Sequence, residues 1–190
     1  MTKKISLENL LFTGFLIELL IFGFSYIIAE SWGEIFRLSA RYSGRLSLVV
    51  YLICFYQFTF SFLKKKSEKK LKDSIIVFCF LHYIHFIYLA LAVYLNNIPI
   101  IPARLAGGFI AYLMILIYPF IISKIEKIIY HLIYFYYVGI VMAVTILGRV
   151  RGNFEGAEPE FFHYVGLASV ILGFVYFTSV IIRSKNPIIK

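Results

Sequence analysis

Four histidines are the residues of this sequence with the clearest capacity for chemistry: His82, His85, His131 and His163. Each lies inside or at the edge of a long apolar stretch. Moving an imidazole into hydrocarbon costs free energy unless the ring is hydrogen-bonded, paired with a charge or coordinated to a metal. These side chains are therefore the first candidates for a functional site.

Long apolar runs hold these histidines. Hydrophobic residues make up 61% of the chain and the mean hydropathy is +0.86, which excludes an ordinary soluble domain. A bilayer core of about 30 Å requires about 20 apolar residues per helix. Six segments qualify, at residues 9–29, 46–63, 74–95, 106–123, 128–148 and 161–182. The runs lack the alternation of a membrane β-barrel. The sequence thus predicts an all-α polytopic membrane protein, a bundle of six transmembrane helices forming a single domain over residues 1–190.

Charge placement predicts the orientation of this bundle. The net charge is +9, and lysines concentrate at residues 3–4, 64–72, 124–127 and 185–190. Most arginines and several acids lie at the opposite ends of the predicted spans, at residues 30–45, 104 and 149–160. The positive-inside rule then predicts that both termini are cytoplasmic. We interpret the lysine-rich loop as a contact with anionic membrane lipid rather than with nucleic acid.

Three further side chains within the predicted spans are chemically distinctive. Glu18 lies near the middle of the first span, where an unpaired charge costs several kcal/mol unless the group takes up a proton. We expect a protonated or hydrogen-bonded carboxyl facing the bundle, and a proton-relay or counter-ion role stays open. Cys54 and Cys79 lie in the second and third spans, so we expect no disulfide.

We expect the first apolar stretch to be a retained helix rather than a cleaved signal peptide.

The histidine spacing favours haem over zinc. His82 and His85 point to the same side of the third span, about 4.5 Å apart in depth, which is a weak zinc motif. Two imidazoles on facing helices at similar depth would instead hold the iron of haem b. By residue counting, His85 and His163 differ in depth by about 5 Å, the best match in the chain. Interhelical hydrogen bonding is the alternative role, and contact with water is another for His163.

The arginines before the second span could serve the same cofactor. Glu34, Arg37, Arg41 and Arg45 recur at intervals of three and four, which places them on one face of a helix at the outer interface. This helix is expected to run into the second span past Gly44. Lipid phosphates or haem propionates would both accept the charge-assisted hydrogen bonds of Arg41 and Arg45, and the two alternatives stay open.

Three segments of the chain resemble a known family. They are residues 40–48 (Ala-Arg-Tyr-Ser-Gly-Arg-Leu-Ser-Leu), the third-span run that ends in His85, and residues 130–134 (Tyr-His-Leu-Ile-Tyr). These motifs resemble the ferric-reductase-like transmembrane family, and within it the branch that serves bacterial periplasmic methionine sulfoxide reductases. The likeness extends over residues 40–183.

This resemblance implies an electron-transfer subunit of oxidoreductase type in the bacterial inner (plasma) membrane. Haem b would pass electrons from a cytoplasmic-side donor, a flavin or a quinol, to an outer-side partner such as a periplasmic reductase. The family's ligands correspond to His85 and His131. Its second fifth-helix histidine corresponds to Val144 or Thr145 here, which implies one haem, replacement of that ligand by His163, or no haem.

A second function class stays open beside this one. A non-redox polytopic protein, such as a small transporter or a membrane-embedded assembly or lipid-binding factor, would use Glu18 and the histidines as a polar track. The absence of similar halves in the sequence disfavours a transporter built from repeats.

Overall fold

The structure is a computed structural model that describes residues 6–64, 68–152 and 159–183, with the side chains at 62–64, 68, 103 and 104 outside that description. Its helices are α1 (Leu7–Ile28), α2 (Trp32–Lys64), α3 (Glu68–Leu95), α4 (Pro102–Ile121), α5 (Ile128–Val150) and α6 (Phe161–Arg183). A 3₁₀ turn, Ile122–Lys124, follows α4, and no strand occurs within the described ranges. The all-α prediction is confirmed.

The described residues include six helices that are long and apolar enough to cross a membrane. Their outward side chains are large and apolar: Phe12, Leu20 and Ile27 on α1 are all exposed. Such a surface is stable only against lipid acyl chains. The chain is therefore an integral membrane protein in contact with membrane lipid. The cytoplasmic placement of both termini stays a prediction, and several of the charges behind it lie outside the described residues: Lys3, Lys4, Lys65, Lys66, Glu155, Glu158, Lys185 and Lys190.

The helix bounds agree with the predicted spans except at α2 and α3. α2 begins at Trp32 rather than at residue 46, because the preceding segment has a small and apolar face that is buried, including Ile35 and Ala40. Hydropathy averaging missed this face because arginines occupy the same turns. α3 begins at Glu68 rather than at residue 74, and lysines in its first turns can extend their apolar stems along the helix.

The helices form two compact units, which we describe separately. Unit 1 comprises α1, α2 up to Tyr51, and α3 from Asp73 onward; unit 2 comprises the remainder of α2 and α3 with α4, α5 and α6. The predicted single domain is not tested by this division and stays a prediction.

Small residues allow the helices of unit 1 to approach closely. A Cβ atom on Gly14 of α1 would lie 3.2 Å from the Leu81 side chain of α3. On α2, a face of small residues is fully or almost fully buried: Ser39, Ala40, Ser43 and Ser47. Small side chains bring backbones together and leave short reach between polar groups on neighbouring helices.

Aromatic packing holds unit 2 together. The rings of Phe55 and Phe58 on α2 lie 5.2 Å and 5.4 Å from Phe177 on α6, and Phe58 stacks on Phe135 of α5 at 4.7 Å. Gly173 on α6 allows this contact, since a Cβ atom there would lie 3.6 Å from the Phe55 ring. Each aromatic side chain buries a large area, so this cluster fixes α5 and α6 against the second half of α2.

Candidate functional site

Glu18 is buried in unit 1 and hydrogen-bonded through one oxygen. It lies midway along α1 and is 1% exposed. The Ser43 hydroxyl of α2 donates to its Oε1 at 2.7 Å, and the Tyr88 hydroxyl of α3 donates to its backbone carbonyl at 3.4 Å. Within the part of the chain that the structure describes, Oε2 has no hydrogen-bond partner. The carboxyl group therefore keeps one oxygen for a proton or for a second donor.

His82, on α3, contacts the same face of α2 one helical turn beyond Ser43. Its Nδ1 atom is 2.6 Å from the Ser47 hydroxyl, and either atom can be the donor because the imidazole has two tautomers. The side chain is 9% exposed, and the Phe78 ring lies 5.3 Å from the imidazole. The predicted burial of this imidazole is observed, and its partner is a hydroxyl.

His85 packs directly against the backbone of α2. A Cβ atom on Gly44 would lie 3.0 Å from its Cε1 atom, so any larger residue would require the ring to shift. The His82 and His85 ring centroids are 5.4 Å apart, with an interplanar angle of 44°. The two imidazoles are therefore neighbours on α3, as their spacing predicted.

Together these side chains form what we call the polar track: Glu18, Ser43, Ser47, His82 and His85. Ser43 and Ser47 are four residues apart on a helix, which separates their Cβ atoms by about 5–6 Å. A serine hydroxyl donates one hydrogen bond and accepts others, so each serine can pass a proton between its neighbours. The track connects a carboxyl on α1 with two imidazoles on α3 inside unit 1.

Arg41 and Arg45 are on the same stretch of α2 as the track. Ser43 meets Glu18 at the middle of α1, so these two arginines flank that level instead of the end of the helix. α2 continues through the arginine segment without a break, as expected, and the position of Arg41 and Arg45 at the outer interface stays a prediction. The Arg45 guanidinium lies over the Tyr42 ring at 5.2 Å.

Glu34 and Arg37 lie near the start of α2, before Arg41 and Arg45 along the helix. They form an ion pair at 2.9 Å. Both side chains are 40% exposed, so this pair is worth little to stability.

His131 is a bridge within unit 2. Its Nε2 atom lies 3.2 Å from the Ile125 carbonyl oxygen, and its Nδ1 atom lies 2.5 Å from the Tyr118 hydroxyl. Because a carbonyl only accepts, Nε2 carries the hydrogen, and the Tyr118 hydroxyl donates to Nδ1. Both ring nitrogens are thereby used to hold the end of α4 to the start of α5.

His163 closes the first turn of α6. The backbone N–H of Glu160 donates to His163 Nδ1 at 2.9 Å, and the backbone N–H of His163 donates to the Glu160 carbonyl at 2.9 Å. The bond to Nδ1 is one half of a capping box, with imidazole in place of the usual carboxylate, and the other bond is between backbone groups. The neutral ring then carries its hydrogen on Nε2.

These hydrogen bonds bear on the expected haem site. Iron binds the lone pair of a ring nitrogen, and neither His131 nor His163 offers one in the arrangement observed. His82 and His85 project from one helix, so they cannot bind opposite faces of one porphyrin. The two imidazoles of unit 1 therefore do not form a bis-imidazole haem site by themselves. The pairings of His85 with His131 and with His163 stay predictions, since His85 is in unit 1 and the other two are in unit 2.

Other metal chemistry has no obvious donor set. Across the described ranges, no group of three or more histidine, cysteine, aspartate or glutamate side chains could hold a metal ion. Cys54 and Cys79 are free thiols in different units.

The sequence analysis did not identify Ser43 and Ser47 of the polar track. With Ser39 they recur every four residues, a spacing that is visible in the sequence, and all three are fully buried in the structure. Tyr118 was missed too, because its partner is visible only once α4 and α5 are packed.

Comparison of the chain with protein-family models, with curated proteins and with solved structures finds no match in any of the three. The fold and the site define a class: an integral membrane protein whose described residues form six long helices with a buried carboxyl–serine–imidazole track.

Proposed function

We propose that this protein transfers protons within the membrane through the polar track and works as a proton-coupled transporter. One observation carries the proposal: a single face of α2 presents Ser43 to a buried carboxyl on α1 and Ser47 to a buried imidazole on α3. Ionisable residues inside a membrane bundle are expensive, and proton pathways are where they are characteristically found.

The chemistry follows from the groups in contact. A proton on Glu18 reaches the Ser43 hydroxyl, which passes on its own hydrogen as it accepts the new one. The distance of about 5–6 Å between the two serines is short enough for one bridging water. Ser47 then exchanges a proton with His82 Nδ1, and His85 extends the path along α3. Carboxyl and imidazole both bind and release a proton without other chemistry.

Structural hydrogen bonding alone does not account for Glu18. A serine or glutamine at this position could bind Ser43 without bringing an ionisable group into the bundle. Glu18 instead has a second oxygen that, among the described residues, accepts no hydrogen bond, although the side chain is 1% exposed. An ionisable group with spare capacity is what a proton carrier requires.

Proton flux in liposomes tests the proposal. The purified protein is reconstituted with a pH-sensitive dye inside, and a potassium diffusion potential drives protons inward. We expect acidification with the parent protein and at least about a tenfold slower rate for Glu18→Gln and His82→Gln, because each removes a step of the path. Glu8→Gln is the matched control, since Glu8 is an exposed glutamate in the first turn of the same helix.

Chemical labelling provides a second readout that needs no transport. A hydrophobic carbodiimide reacts with protonated carboxyl groups in membranes, and we expect the label on Glu18. The reaction should be at least as strong after Ser43→Ala, because the Ser43 hydroxyl donates to Oε1 and so favours the ionised carboxylate. Equal flux in the parent and Glu18→Gln proteins, together with an unlabelled Glu18, would overturn the proposal.

A second candidate is the haem b electron-transfer subunit that the resemblance implies, in the bacterial inner membrane with a flavin or quinol donor and a periplasmic reductase partner. The observation in its favour is the pair of adjacent imidazoles, His82 and His85, in unit 1. It requires His131 or His163 to exchange its hydrogen bonds for iron. A reduced-minus-oxidised spectrum of protein from haem-replete cells tests it: a b-type band lost in His85→Ala supports haem, and no band removes it.

A further inference from the structure

The turn between α1 and α2 forms a cleft of about 330 Å³ that the polar track does not use. Its walls are Tyr26 and Ala29 at the end of α1, Glu30 and Ser31 in the turn, and Trp32 and Ile35 at the start of α2. All of these residues belong to unit 1. The volume is at the lower end of the range for small-ligand sites.

Two aromatic rings and one carboxylate give the cleft its character. The Tyr26 and Trp32 ring centroids are 6.0 Å apart, with an interplanar angle of 54°, so the rings splay open. A cation held between them can lie within about 6 Å of both centroids, the distance that cation–π attraction requires. The Glu30 side chain adds a negative charge to the same wall.

Glu30 is available for a ligand. The nearest acid along the chain, Glu34, is engaged by Arg37 at 2.9 Å. By contrast, no hydrogen bond or ion pair within the described residues involves the Glu30 carboxylate. A cation that binds in the cleft can therefore pair with the Glu30 carboxylate without displacing another protein group.

The surroundings hold the cleft in shape. Trp32 stacks on Phe36 with centroids 6.2 Å apart, and Phe36 in turn contacts Phe22 at 5.8 Å. The side chain of Asn96, the residue that follows α3, donates to the Gly33 carbonyl at 2.9 Å, which fixes the first turn of α2. The Ser31 hydroxyl accepts from the Glu34 backbone N–H at 3.2 Å and caps that turn. A preorganised site loses less entropy when a ligand binds.

We propose that this cleft binds an organic ammonium group, with Tyr26 and Trp32 contacting the cation and Glu30 neutralising it. Aromatic faces select a large, weakly hydrated ammonium over a hydrated metal ion. The same chemistry is found in the headgroup of a zwitterionic lipid and in a soluble amine. This site is independent of the polar track.

Trp32 is the sole tryptophan of the chain, so its fluorescence reports on this cleft alone. The full-length protein in a maltoside detergent is titrated with choline and with 3,3-dimethylbutan-1-ol, the neutral carbon analogue of choline. We expect a saturable change in Trp32 emission with choline and none with the neutral alcohol. Glu30→Gln should raise the half-saturating concentration about fivefold, and Tyr26→Leu about threefold.

Matched controls keep the result specific. Tyr94→Leu replaces another exposed tyrosine of unit 1 that does not line the cleft, and Glu8→Gln removes an exposed glutamate elsewhere on α1. Both should bind choline as the parent does. An equal response to the neutral alcohol, or parent-like binding in both Glu30→Gln and Tyr26→Leu, would overturn the proposal.

Lipid composition separates the two sources of the ammonium group. The protein is placed in nanodiscs of phosphatidylglycerol or of phosphatidylcholine, and choline is titrated into each. If a lipid headgroup is the ligand, choline changes Trp32 emission only in phosphatidylglycerol discs, because phosphatidylcholine already fills the cleft. An equal change in both discs identifies a soluble ammonium compound as the ligand.

Discussion

Among the described residues, the Ser43 hydroxyl is the only group that hydrogen-bonds to the Glu18 carboxyl, so Ser43→Ala tests the link between α1 and α2 in the polar track. The substitution removes a single oxygen atom at a fully buried position and leaves almost no cavity. The free energy of unfolding therefore falls mainly because the Glu18 carboxyl loses its hydrogen bond. A buried polar group that loses its partner costs about 1–3 kcal/mol, but hydrogen bonds between membrane helices average about 0.6 kcal/mol and reach about 1.7 kcal/mol. We expect a loss of about 1–2 kcal/mol in the free energy of unfolding.

The assay is reversible unfolding in mixed micelles with increasing dodecyl sulfate, followed by circular dichroism. Ser169→Ala is the matched control, since Ser169 is a half-buried serine on α6 whose hydroxyl donates to the carbonyl one turn before it. It should change the free energy by less than about 0.5 kcal/mol.

A double-mutant cycle with Glu18→Leu isolates the pair itself. We expect a coupling energy of about 1 kcal/mol between the two positions. Once Glu18 is replaced by leucine, Ser43→Ala no longer leaves a carboxyl group without its hydrogen bond. Equal losses for Ser43→Ala and Ser169→Ala, with no coupling to Glu18, would show that the two side chains do not meet and would refute the track.

Three further outcomes are expected. Gly44→Ala places a Cβ atom 3.0 Å from a track imidazole and should slow proton flux severalfold with little loss of helix content, whereas Gly23→Ala, with no atom within 4 Å, should leave flux unchanged. His163→Ala should lower the free energy of unfolding by about 1 kcal/mol through loss of the α6 cap, and His163→Glu should restore it, because glutamate is the usual capping-box residue. Tyr118→Phe should cost about 1 kcal/mol in the same unfolding assay by removing the hydroxyl that donates to His131.

For each of these three predictions, one result would contradict the stated reason. Unchanged flux in Gly44→Ala would mean that the imidazole beside it is outside the path. Equal stability of His163→Ala and His163→Glu would show that the ring does not cap α6. A Tyr118→Phe protein as stable as the parent would show that the hydrogen bond between α4 and α5 contributes nothing.

Much of the architecture could be predicted from local sequence alone. Whether a segment can cross a bilayer depends on its own length and hydropathy, so the six helices and most of their bounds were predictable without knowledge of their neighbours. Hydropathy did not locate the start of α2, although the spacing of the arginines predicted a helix that runs into the second span. The buried face of this segment stabilises the helix only when α1 and α3 cover it. Averaging hydropathy over a window also hides the fact that its serines and its arginines point in different directions.

The sequence also determined that His82 and His85 are neighbours, because three residues on a helix fix that geometry. It could not determine what the histidines bind. Ser43 is 25 residues from Glu18 and Ser47 is 35 residues from His82, so these partners depend on how three helices pack. Depth counting selected His163 as a ligand by height alone, whereas the ring binds its own helix start. Local periodicity decides which residues share a face; only the tertiary structure decides which faces meet, because a hydrogen bond requires two groups within about 3 Å of each other.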